Sequence, residues 1–265
     1  MPELPEAEAA RRLAHRTLVG TRIEAVRTAD DRIVFCGVSP RAFAARLRGR
    51  RVISTRRRGK YIWFVLDKRP WPSMHFGMGG HFFVYQKPSD RPPYWKMELL
   101  TDRGDYFAMT NPRRLGRIRL QDDPEHEPPI SLLGFDPLLD LPPVWTFCEL
   151  LARRRAPIKA VLLDQSFAAG VGNWIADEVL YQARIDPRRL AVDLTPAEAR
   201  RVRNVLRQVV RKAVAVDADK DRFPREWLFH HRWGRNSRAV TARGERIAHT
   251  VIGGRTTAWV PAVQK

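Results

Sequence analysis

The stretch "LLDQSFAAGVGNWIADEVLYQARIDP" (162–187) decides the fold of the C-terminal half of the chain. It contains two helical patterns separated by a tight turn at Gly170, Gly172 and Asn173. Glycine turns between helices are common, so this turn alone is a weak signal. Backbone N–H groups at a turn that opens a helix nevertheless form a ready phosphate site. The stretch therefore predicts a pair of helices whose turn, at Gly172 and Asn173, can contact phosphate.

Further helical patterns lie on both sides of this stretch. The segment "PPVWTFCELLARRRAP" (142–157) has apolar residues at helical spacing, and residues 194–214 open with a capping box. In that box Thr195 is the N-cap, Pro196 takes the first position and Glu198 stands three residues on. A proline-rich linker is predicted at 123–145, from six nearby prolines: Pro124, Pro128, Pro129, Pro137, Pro142 and Pro143. From about residue 228 the pattern returns to β-structure, with turn points at Arg243-Gly244 and Gly253-Gly254.

The N-terminal half has a β-pattern behind one leading helix. Residues 5–15 predict that helix, since proline suits a first turn and acidic side chains complement the helix N-terminus. Residues 20–120 then resemble β-structure, with short aromatic and β-branched runs separated by turn residues. The clearest strands are predicted at 61–67, 79–86, 96–102, 105–111 and 116–122. Such close spacing indicates an antiparallel sandwich or barrel.

These patterns predict an α+β chain. We expect a leading helix and an antiparallel β-sandwich at 1–122, the linker at 123–145, a helical domain at 146–227 and a small β-hairpin at 228–265. No internal repeat or low-complexity tract is present.

Charge indicates the class of partner. The 265 residues include 48 Lys and Arg against 29 Asp and Glu, which gives a formal charge of +19 and a pI of about 11.1. Such a charge on a folded chain predicts a polyanionic partner, with nucleic acid as the first candidate and an anionic membrane surface as the second. The basic stretches are broken by turn residues and no run of 18 apolar residues occurs, which disfavours the membrane.

Cysteine content excludes two classes of small scaffold. Only Cys36 and Cys148 occur, too few for a disulfide framework or a cysteine-based zinc site. The first residues are acidic and polar, so we expect no secretory signal. An intracellular location fits, cytoplasmic in a bacterium or nuclear in a eukaryote.

Six separated motifs resemble one known family. The stretch at 162–187 is close to "GIGNWIADEVLYQARIHP", typical of the helix-two-turns-helix motif of formamidopyrimidine-DNA glycosylases and endonuclease VIII. "MPELPE" (1–6) resembles the N-terminal signature, and "RRRGKYIWF" (56–64) the strand with an essential lysine. "HFGMGG" (75–80) and "TNPRRLGRIRL" (110–120) resemble "HLGMSG" and "TDPRRFG". "GGRTTAWVPAVQ" (253–264) resembles the end of the C-terminal finger, most like the plant and fungal branch.

The resemblance implies a bifunctional DNA glycosylase and abasic-site lyase of base excision repair. Its catalytic residues would be Pro2, Glu3 and Lys60. Once Met1 is removed, Pro2 presents a secondary amine, and an α-amino group of pKa roughly 7.7–8.0 is partly neutral near pH 7. Attack on C1′ of a nucleotide would give an iminium, elimination would cut the strand, and Glu3 would shuttle protons. If Met1 stayed, Pro2 could not react.

The same resemblance implies DNA contacts along the chain. Met78, Arg113 and Leu115 match positions that fill the void left by an extruded base, with leucine where the family usually has phenylalanine. Lys60 would contact phosphate or deoxyribose at the lesion, Arg255 would grip the flanking phosphates, and Lys159 is a candidate for the lesion site. The full set of predicted DNA-binding residues is Glu6, Met78, Arg113, Leu115, Lys159, Gly172, Asn173 and Arg255. Arg56, Arg57 and Arg58 fit a solvated basic face equally well.

The finger and the loop before it depart from the commoner family pattern. Residues 228–265 have no cysteine, only His230, His231 and His249, which make a poor tetrahedral set. We therefore expect a zincless finger with no metal or other cofactor, held by Trp227, Phe229, Trp233, Ile247, Val251 and Trp259. The short segment 215–227 favours formamidopyrimidines and further-oxidised guanine over 8-oxoguanine.

Two other classes of function compete with the enzyme. A non-catalytic binder of damaged DNA could keep the scaffold, although it would have no need of Pro2, Glu3 and Lys60 together. A basic RNA-associated protein would explain the charge but not the N-terminal signature. Cleavage at an abasic site separates the first hypothesis from both. The expected partner is damaged double-stranded DNA. We expect the protein to bind it as a monomer and to have no membrane partner.

Overall fold

A computed structural model describes residues 2–234 and 238–265 and divides the chain into two compact units. One unit comprises residues 6–132 with Pro2, and the other comprises residues 133–265 with Glu3–Pro5. The division falls within the segment predicted as a linker. The finer division into four parts stays a prediction.

Two antiparallel sheets form most of the first unit. Strands β1 (Ile23–Thr28), β6 (Trp95–Thr101), β7 (Tyr106–Thr110) and β5 (His81–Tyr85) form one sheet in that order. Strands β2 (Val52–Arg58), β3 (Tyr61–Leu66), β4 (Trp71–His75) and β8 (Arg117–Gln121) form the other. The five predicted strands are confirmed with ends shifted by at most two residues. The predicted α+β class with N-terminal antiparallel sheets is likewise confirmed.

One hydrophobic core joins both sheets with the helix α1 (Leu4–Leu18). The ring of Phe64 on β3 lies 6.0 Å from that of Phe82 on β5 and 5.9 Å from that of Phe107 on β7. Aromatic pairs at such distances add to the stabilisation from burial. The helix contributes Ala7, Ala14 and Leu18 to this core. Its predicted span of 5–15 is confirmed and extended at both ends.

Two features of this unit differ from the β-pattern. A second helix, α2 (Pro40–Leu47), lies between β1 and β2, where the sequence predicts β-structure. Its start has an ordinary signal, because the Ser39 side chain accepts a hydrogen bond from the N–H of Ala42 and Pro40 takes the first turn. Lys60 was expected on a strand and instead lies in the turn between β2 and β3, after Gly59.

The second unit has a helical core. It contains α3 (Val144–Ala152), α4 (Ile158–Leu163), α5 (Asn173–Ala183) and α6 (Pro196–Ala215). The predicted capping box of α6 is confirmed, since Thr195 and Glu198 each bond the other's backbone N–H. Helix α5 is buried along almost its whole length, from Trp174 through Tyr181. It is therefore the central element of this unit.

A hairpin of β9 (Ala248–Ile252) and β10 (Arg255–Trp259) packs near the end of α5. Its turn consists of Gly253 and Gly254, both at positive φ (57° and 70°), the conformation that tight hairpin turns require. Of the six apolar residues predicted to hold the finger, Trp227, Phe229, Ile247 and Trp259 are buried. The prediction is wrong for Trp233 and Val251, which are 55% and 64% exposed. The predicted finger range 228–265 also includes 235–237, which lie outside the described residues.

Within residues 2–234 and 238–265, no helix combines the length and apolar character needed to span a membrane.

Candidate active site and nucleic-acid interface

The Glu3 carboxylate lies at the N-terminus of α5. Glu3 is buried, and its two oxygens accept hydrogen bonds from the backbone N–H groups of Trp174 (2.9 Å) and Ile175 (3.1 Å). The N–H of Leu4 donates to the carbonyl of Gly170 (3.0 Å), which holds the same segment at a second point. The first turn of a helix has unpaired N–H groups and a partial positive charge, both of which stabilise a carboxylate. The position of this anionic group is therefore tightly defined.

Gly172 is required here because of space. Its backbone is extended (φ −131°), a conformation open to any residue. A Cβ at this position would, however, overlap the Glu3 carboxyl group. The turn amides were predicted to bind phosphate, and this is revised for the N–H groups of Trp174 and Ile175, which bind the protein's own carboxylate. The Asn173 side chain donates from Nδ2 to the carbonyl of Thr256 (2.9 Å).

Pro2 directly precedes Glu3 and is half-buried. Met1, whose removal the predicted chemistry requires, lies outside the described residues. Glu6 is also half-buried and lies in the first turn of α1.

Lys60 is buried in a turn that Arg57 holds in place. The Arg57 guanidinium donates to the carbonyl of Gly59 (2.8 Å) and to the carboxylate of Glu8 on α1 (3.1 Å). Burial alone would raise the pKa of Glu8, but Arg11 and Arg57 outweigh it and the pKa is lowered. Glu8 is therefore a stable anion that anchors Arg57, and Arg57 in turn fixes the backbone beside Lys60.

Arg56 and Arg57, which the sequence grouped with Arg58 on a basic face, have different surroundings. Arg57 is only 4% exposed, so the solvated interpretation is wrong for it. Arg56 does lie at the surface, where it pairs with Glu125 (3.2 Å).

His75 adds no charge near Lys60 at neutral pH. Burial, reinforced by the positive charge of Lys60, lowers the pKa of His75 to about 4. The N–H of Gly77 donates to Nδ1 of His75 (3.1 Å), which requires that nitrogen to be unprotonated. The positive charge that acts on His75 therefore comes from Lys60, Arg119 and Arg117.

Asn111 joins the two loops that carry the predicted void-filling residues. Its Nδ2 donates to the carbonyl of Phe76 (2.7 Å), and its Oδ1 accepts from the N–H of Gly116 (2.9 Å). Asn111 is fully buried, and both bonds lie within the first unit. The loops 76–80 and 111–116 are thereby held side by side.

Met78, Arg113 and Leu115 come together on these loops. The Arg113 guanidinium contacts the Met78 sulfur at 3.7 Å, and Leu115 is 43% exposed. The neighbouring Arg114 is anchored to Asp31 (3.0 Å), so the loop has one fixed and one projecting arginine. Two apolar side chains and one guanidinium at a loop tip have the chemistry of a wedge for a base stack.

Arg255 is exposed at the start of β10 and pairs in register with Ile252 across the hairpin. Its neighbour Thr256 receives the hydrogen bond from Asn173 described above. The hairpin therefore presents a guanidinium close to a backbone position that α5 holds.

Comparisons with known proteins agree with this geometry. Residues 1–118 match the family "Formamidopyrimidine-DNA glycosylase N-terminal domain", and residues 133–224 match "Formamidopyrimidine-DNA glycosylase H2TH domain". A formamidopyrimidine-DNA glycosylase of Arabidopsis thaliana is 42% identical over all of this chain and 71% of its own length. One from Thermus thermophilus is 34% identical over 100% of this chain and 98% of its own.

The chain belongs to the formamidopyrimidine-DNA glycosylase family. The high identity to the plant relative supports the predicted closeness to the plant branch.

Solved glycosylase structures share the fold. The enzyme of Lactococcus lactis, non-covalently bound to DNA containing an abasic site, superposes with a TM-score of 0.86, at 23% identity over 99% of both chains. A MutM protein in complex with DNA containing carbocyclic 8-oxoguanine also gives a TM-score of 0.86, at 22% identity over 100% of both chains.

In this glycosylase Lys159 does not reach a surface, which revises its prediction as a lesion contact. The side chain is fully buried and forms an ion pair with Asp177 of α5. Burial lowers the pKa of Lys159, although the charge of Asp177 opposes that shift. The residue has a structural place between α4, α5 and the hairpin.

The sequence reasoning missed several residues that position the glycosylase site. Asp177 lies inside an apolar helical run, and Asn111 directly follows β7. A buried carboxylate within an apolar run is a usable signal, because such a group must find partners. The contact of Glu8 with Arg57 joins residues 49 positions apart and has no local signal.

The histidines of the finger have other contacts. His230 Nε2 lies 3.4 Å from the carbonyl of Phe223, and His249 Nε2 lies 3.4 Å from that of Arg232. In the part of the chain that the structure describes, no three His, Cys, Asp or Glu residues are grouped as a metal site would need.

Proposed function

We propose that this protein removes oxidised purines from DNA and then cleaves the strand at the resulting abasic site. The observation that carries the proposal is the Glu3 carboxylate, fixed on the N-terminus of α5 directly after Pro2. Support comes from the glycosylases of known name that match the whole chain and from the solved relatives bound to abasic-site or 8-oxoguanine DNA. Glycosylase action in base excision repair, with DNA as partner, is the function of the family, and lyase activity is typical of it.

The chemistry begins at the Pro2 amine. Its nitrogen lone pair attacks C1′, the bond from C1′ to the base breaks, and the base leaves with a proton. Opening of the sugar ring leaves an iminium between Pro2 and C1′. Loss of a C2′ proton then expels the 3′ phosphate, and a second elimination expels the 5′ phosphate. A positioned carboxylate supplies and accepts these protons, and typically contributes 10²–10⁴-fold to the rate; this is the proposed role of Glu3.

The remaining site residues bind DNA. Lys60 contacts a phosphate or the deoxyribose at the lesion, and Arg255 grips the flanking phosphates. Met78, Arg113 and Leu115 fill the void left when the damaged base leaves the stack. Glu6, Gly172 and Asn173 stay candidates for DNA contact in this proposal.

Ring-opened formamidopyrimidines and further-oxidised guanine are the proposed substrates, ahead of 8-oxoguanine. The segment that follows α6, up to residue 227, is short, and its aromatic side chains pack in the helical core. The Phe223 ring lies 5.6 Å from that of Trp174 and 5.1 Å from that of Trp227. A segment anchored in this way has little free length to cover an extruded base.

We hold the finger to be zincless, because packing supplies contacts that a metal otherwise would. Tyr181 of α5 forms an apolar cluster with Leu228, Ile247, Ala258 and Val260. Purified protein is expected to contain no stoichiometric zinc, and treatment with a strong chelator should leave cleavage unchanged. Loss of activity on chelation, restored by zinc, would assign metal binding to the finger histidines.

Covalent trapping tests the proposed chemistry. Borohydride should reduce the iminium and join the processed protein to abasic DNA through Pro2, as peptide mapping would show. Protein that retains Met1 is the matched control and should form no adduct. Binding of damaged DNA without any adduct would favour the hypothesis of a non-catalytic binder. Attachment at Lys60 would identify Lys60 as the nucleophile in place of Pro2.

The proposed place of action follows from the substrate. The protein would act as a monomer where DNA is found, in the cytoplasm of a bacterium or the nucleus of a eukaryote.

A further inference from the structure

Three buried charged side chains meet at the middle of α5. Asp177 forms ion pairs with Lys159 of α4 and with Arg232, which precedes the hairpin. The Arg232 Nε lies 3.0 Å from Asp177 Oδ2. The side chains of Lys159 and Asp177 have no exposed surface, and that of Arg232 is only 5% exposed. We call these three residues the Asp177 cluster.

The Asp177 cluster is bonded directly to the hairpin. Asp177 Oδ2 accepts a hydrogen bond from the N–H of Ala258 on β10 (3.1 Å). The carbonyl of Thr256 accepts from Asn173 Nδ2 (2.9 Å) and from Lys159 Nζ (3.5 Å). Thr256 directly follows Arg255, so the backbone on one side of that arginine is bound to α4 and α5.

The charge balance makes Asp177 the necessary member of the cluster. Among the described residues, Asp177 forms the ion pairs with both cations, and the Glu3 carboxylate adds a further attraction on Lys159. Buried charges are tolerated only when they are paired and hydrogen-bonded. Without the Asp177 carboxylate, Lys159 and Arg232 would repel each other, and a neutral side chain could not pair with both of them while also accepting from the N–H of Ala258. We expect the hairpin to be displaced as a result.

We propose that Asp177 is a positioning residue that sets the place of Arg255 through β10. This inference rests on the proposed function, in which Arg255 binds phosphates flanking the lesion. The Asp177 side chain has no exposed surface and therefore offers no contact to DNA. Its effect on DNA binding therefore passes through the hairpin and disappears when Arg255 is absent.

A double-mutant cycle tests this role. Binding of a duplex containing a stable abasic-site analogue is measured against salt for the wild type, Asp177→Asn, Arg255→Ala and the double variant. Each phosphate contact contributes about 0.9 to the log–log salt slope, so Arg255→Ala should reduce the slope by about one. Asp177→Asn should cause a similar loss of slope and affinity. In the Arg255→Ala background, Asp177→Asn should cause almost no further loss of affinity. The two substitutions would then be coupled by a factor of roughly twofold to a hundredfold in DNA affinity.

A second measurement separates displacement of the hairpin from general unfolding. Hydrogen exchange of Asp177→Asn should quicken in peptides that contain β9 and β10 and stay unchanged in α6. Asp221→Asn makes the same charge change at an exposed position and should alter neither exchange nor binding. If Asp177→Asn speeds exchange in both regions, the residue is a general core anchor and the inference is overturned.

The outcomes distinguish the inference from the proposed function. An unchanged slope in Arg255→Ala would remove the phosphate contact and with it the basis of the inference. A lowered slope in Arg255→Ala, together with equal losses from Asp177→Asn in both backgrounds, would overturn only the positioning role.

Discussion

The Glu3 carboxylate is confined by the atoms around it. Two amides of α5 hold its oxygens, and Gly172 leaves open the volume that the carboxyl group fills. Each hydrogen bond to a charged group contributes about 1.5–3 kcal/mol. A carboxylate held at two points keeps one orientation, and general acid–base catalysis requires such alignment.

Gly172→Ala should therefore act through Glu3. The added methyl group displaces the Glu3 carboxyl group from the N–H groups of Trp174 and Ile175, so the melting temperature should fall and the rates should be compared at a temperature at which both proteins are folded. The rate of base removal should fall about 10²-fold or more, the range expected when an acid–base group is lost. Single-turnover kinetics on a formamidopyrimidine duplex would measure this change.

The double variant Gly172→Ala/Glu3→Gln provides the control. It should be no slower than Glu3→Gln alone, because both changes remove the same group. If the double variant were slower than Glu3→Gln by the same factor that Gly172→Ala alone causes, Gly172 would act by another route, such as a direct contact with phosphate.

At the scale of elements, the two loops 76–80 and 111–116 depend on one buried amide. Replacing Asn111 leaves the carbonyl of Phe76 and the N–H of Gly116 without this partner. A buried polar group left unpaired costs about 1–3 kcal/mol. The two loops that carry Met78, Arg113 and Leu115 would then no longer be held side by side.

Asn111→Ala should thus affect base extrusion more than strand cleavage. Excision of a base that must leave the stack should slow several-fold more than cleavage of a preformed abasic site, where extrusion is less costly. Parallel single-turnover assays on the two duplexes would show the difference. Asn204→Ala, in the other unit, should change neither rate. Equal slowing on both substrates would contradict a role in extrusion.

Local patterns predicted most elements, and the limits of that prediction are physical. The five strands in the N-terminal half alternate with turn residues, and α6 has a capping box, so each could be identified from its own sequence. Helix α2 has an ordinary cap at Ser39, but the β-pattern around it outweighed that signal.

The candidate site was predictable where a motif is contiguous. Contiguous motifs singled out Pro2, Glu3 and Arg255 as candidates, which they remain, whereas the buried state of Arg57 and Lys159 depends on partners elsewhere in the chain. Glu8 and Asp177 supply those partners only after folding. From the local sequence, Arg57 resembles part of a basic surface and Lys159 resembles a lesion contact. The carboxylates that pair with them are not adjacent in sequence, so a local pattern does not reveal these ion pairs.

At the scale of the whole molecule, stability should depend on pH through Glu178. This carboxyl group is buried on α5 and accepts hydrogen bonds from the N–H of Phe229 (2.8 Å) and from Gln182 Nε2 (2.6 Å). Burial raises its pKa from 4.5 to about 7, although these bonds oppose the shift. The folded protein therefore binds this proton more tightly than the unfolded chain does.

The free energy of unfolding should decrease between about pH 4.5 and pH 7 on account of this group, and its contribution should be constant above that range. The decrease is about 3 kcal/mol, since one pKa unit corresponds to about 1.4 kcal/mol. Glu178→Gln removes the ionisation, so urea unfolding of the variant should lack this component. The exposed Glu149→Gln should follow the wild-type pH dependence. Parallel curves for wild type and Glu178→Gln would contradict the assignment.

The bond between Glu3 and Trp174 spans 171 positions of the chain, and this has a consequence for biosynthesis. A ribosome adds about 5–20 residues per second, so roughly ten to thirty seconds pass between the emergence of Glu3 and that of its partner. During this interval the amino end has no place to dock and stays open to an aminopeptidase. The proposed chemistry needs a free Pro2 amine, and an aminopeptidase can release that amine before α5 exists and before the Glu3 carboxylate reaches its two amides.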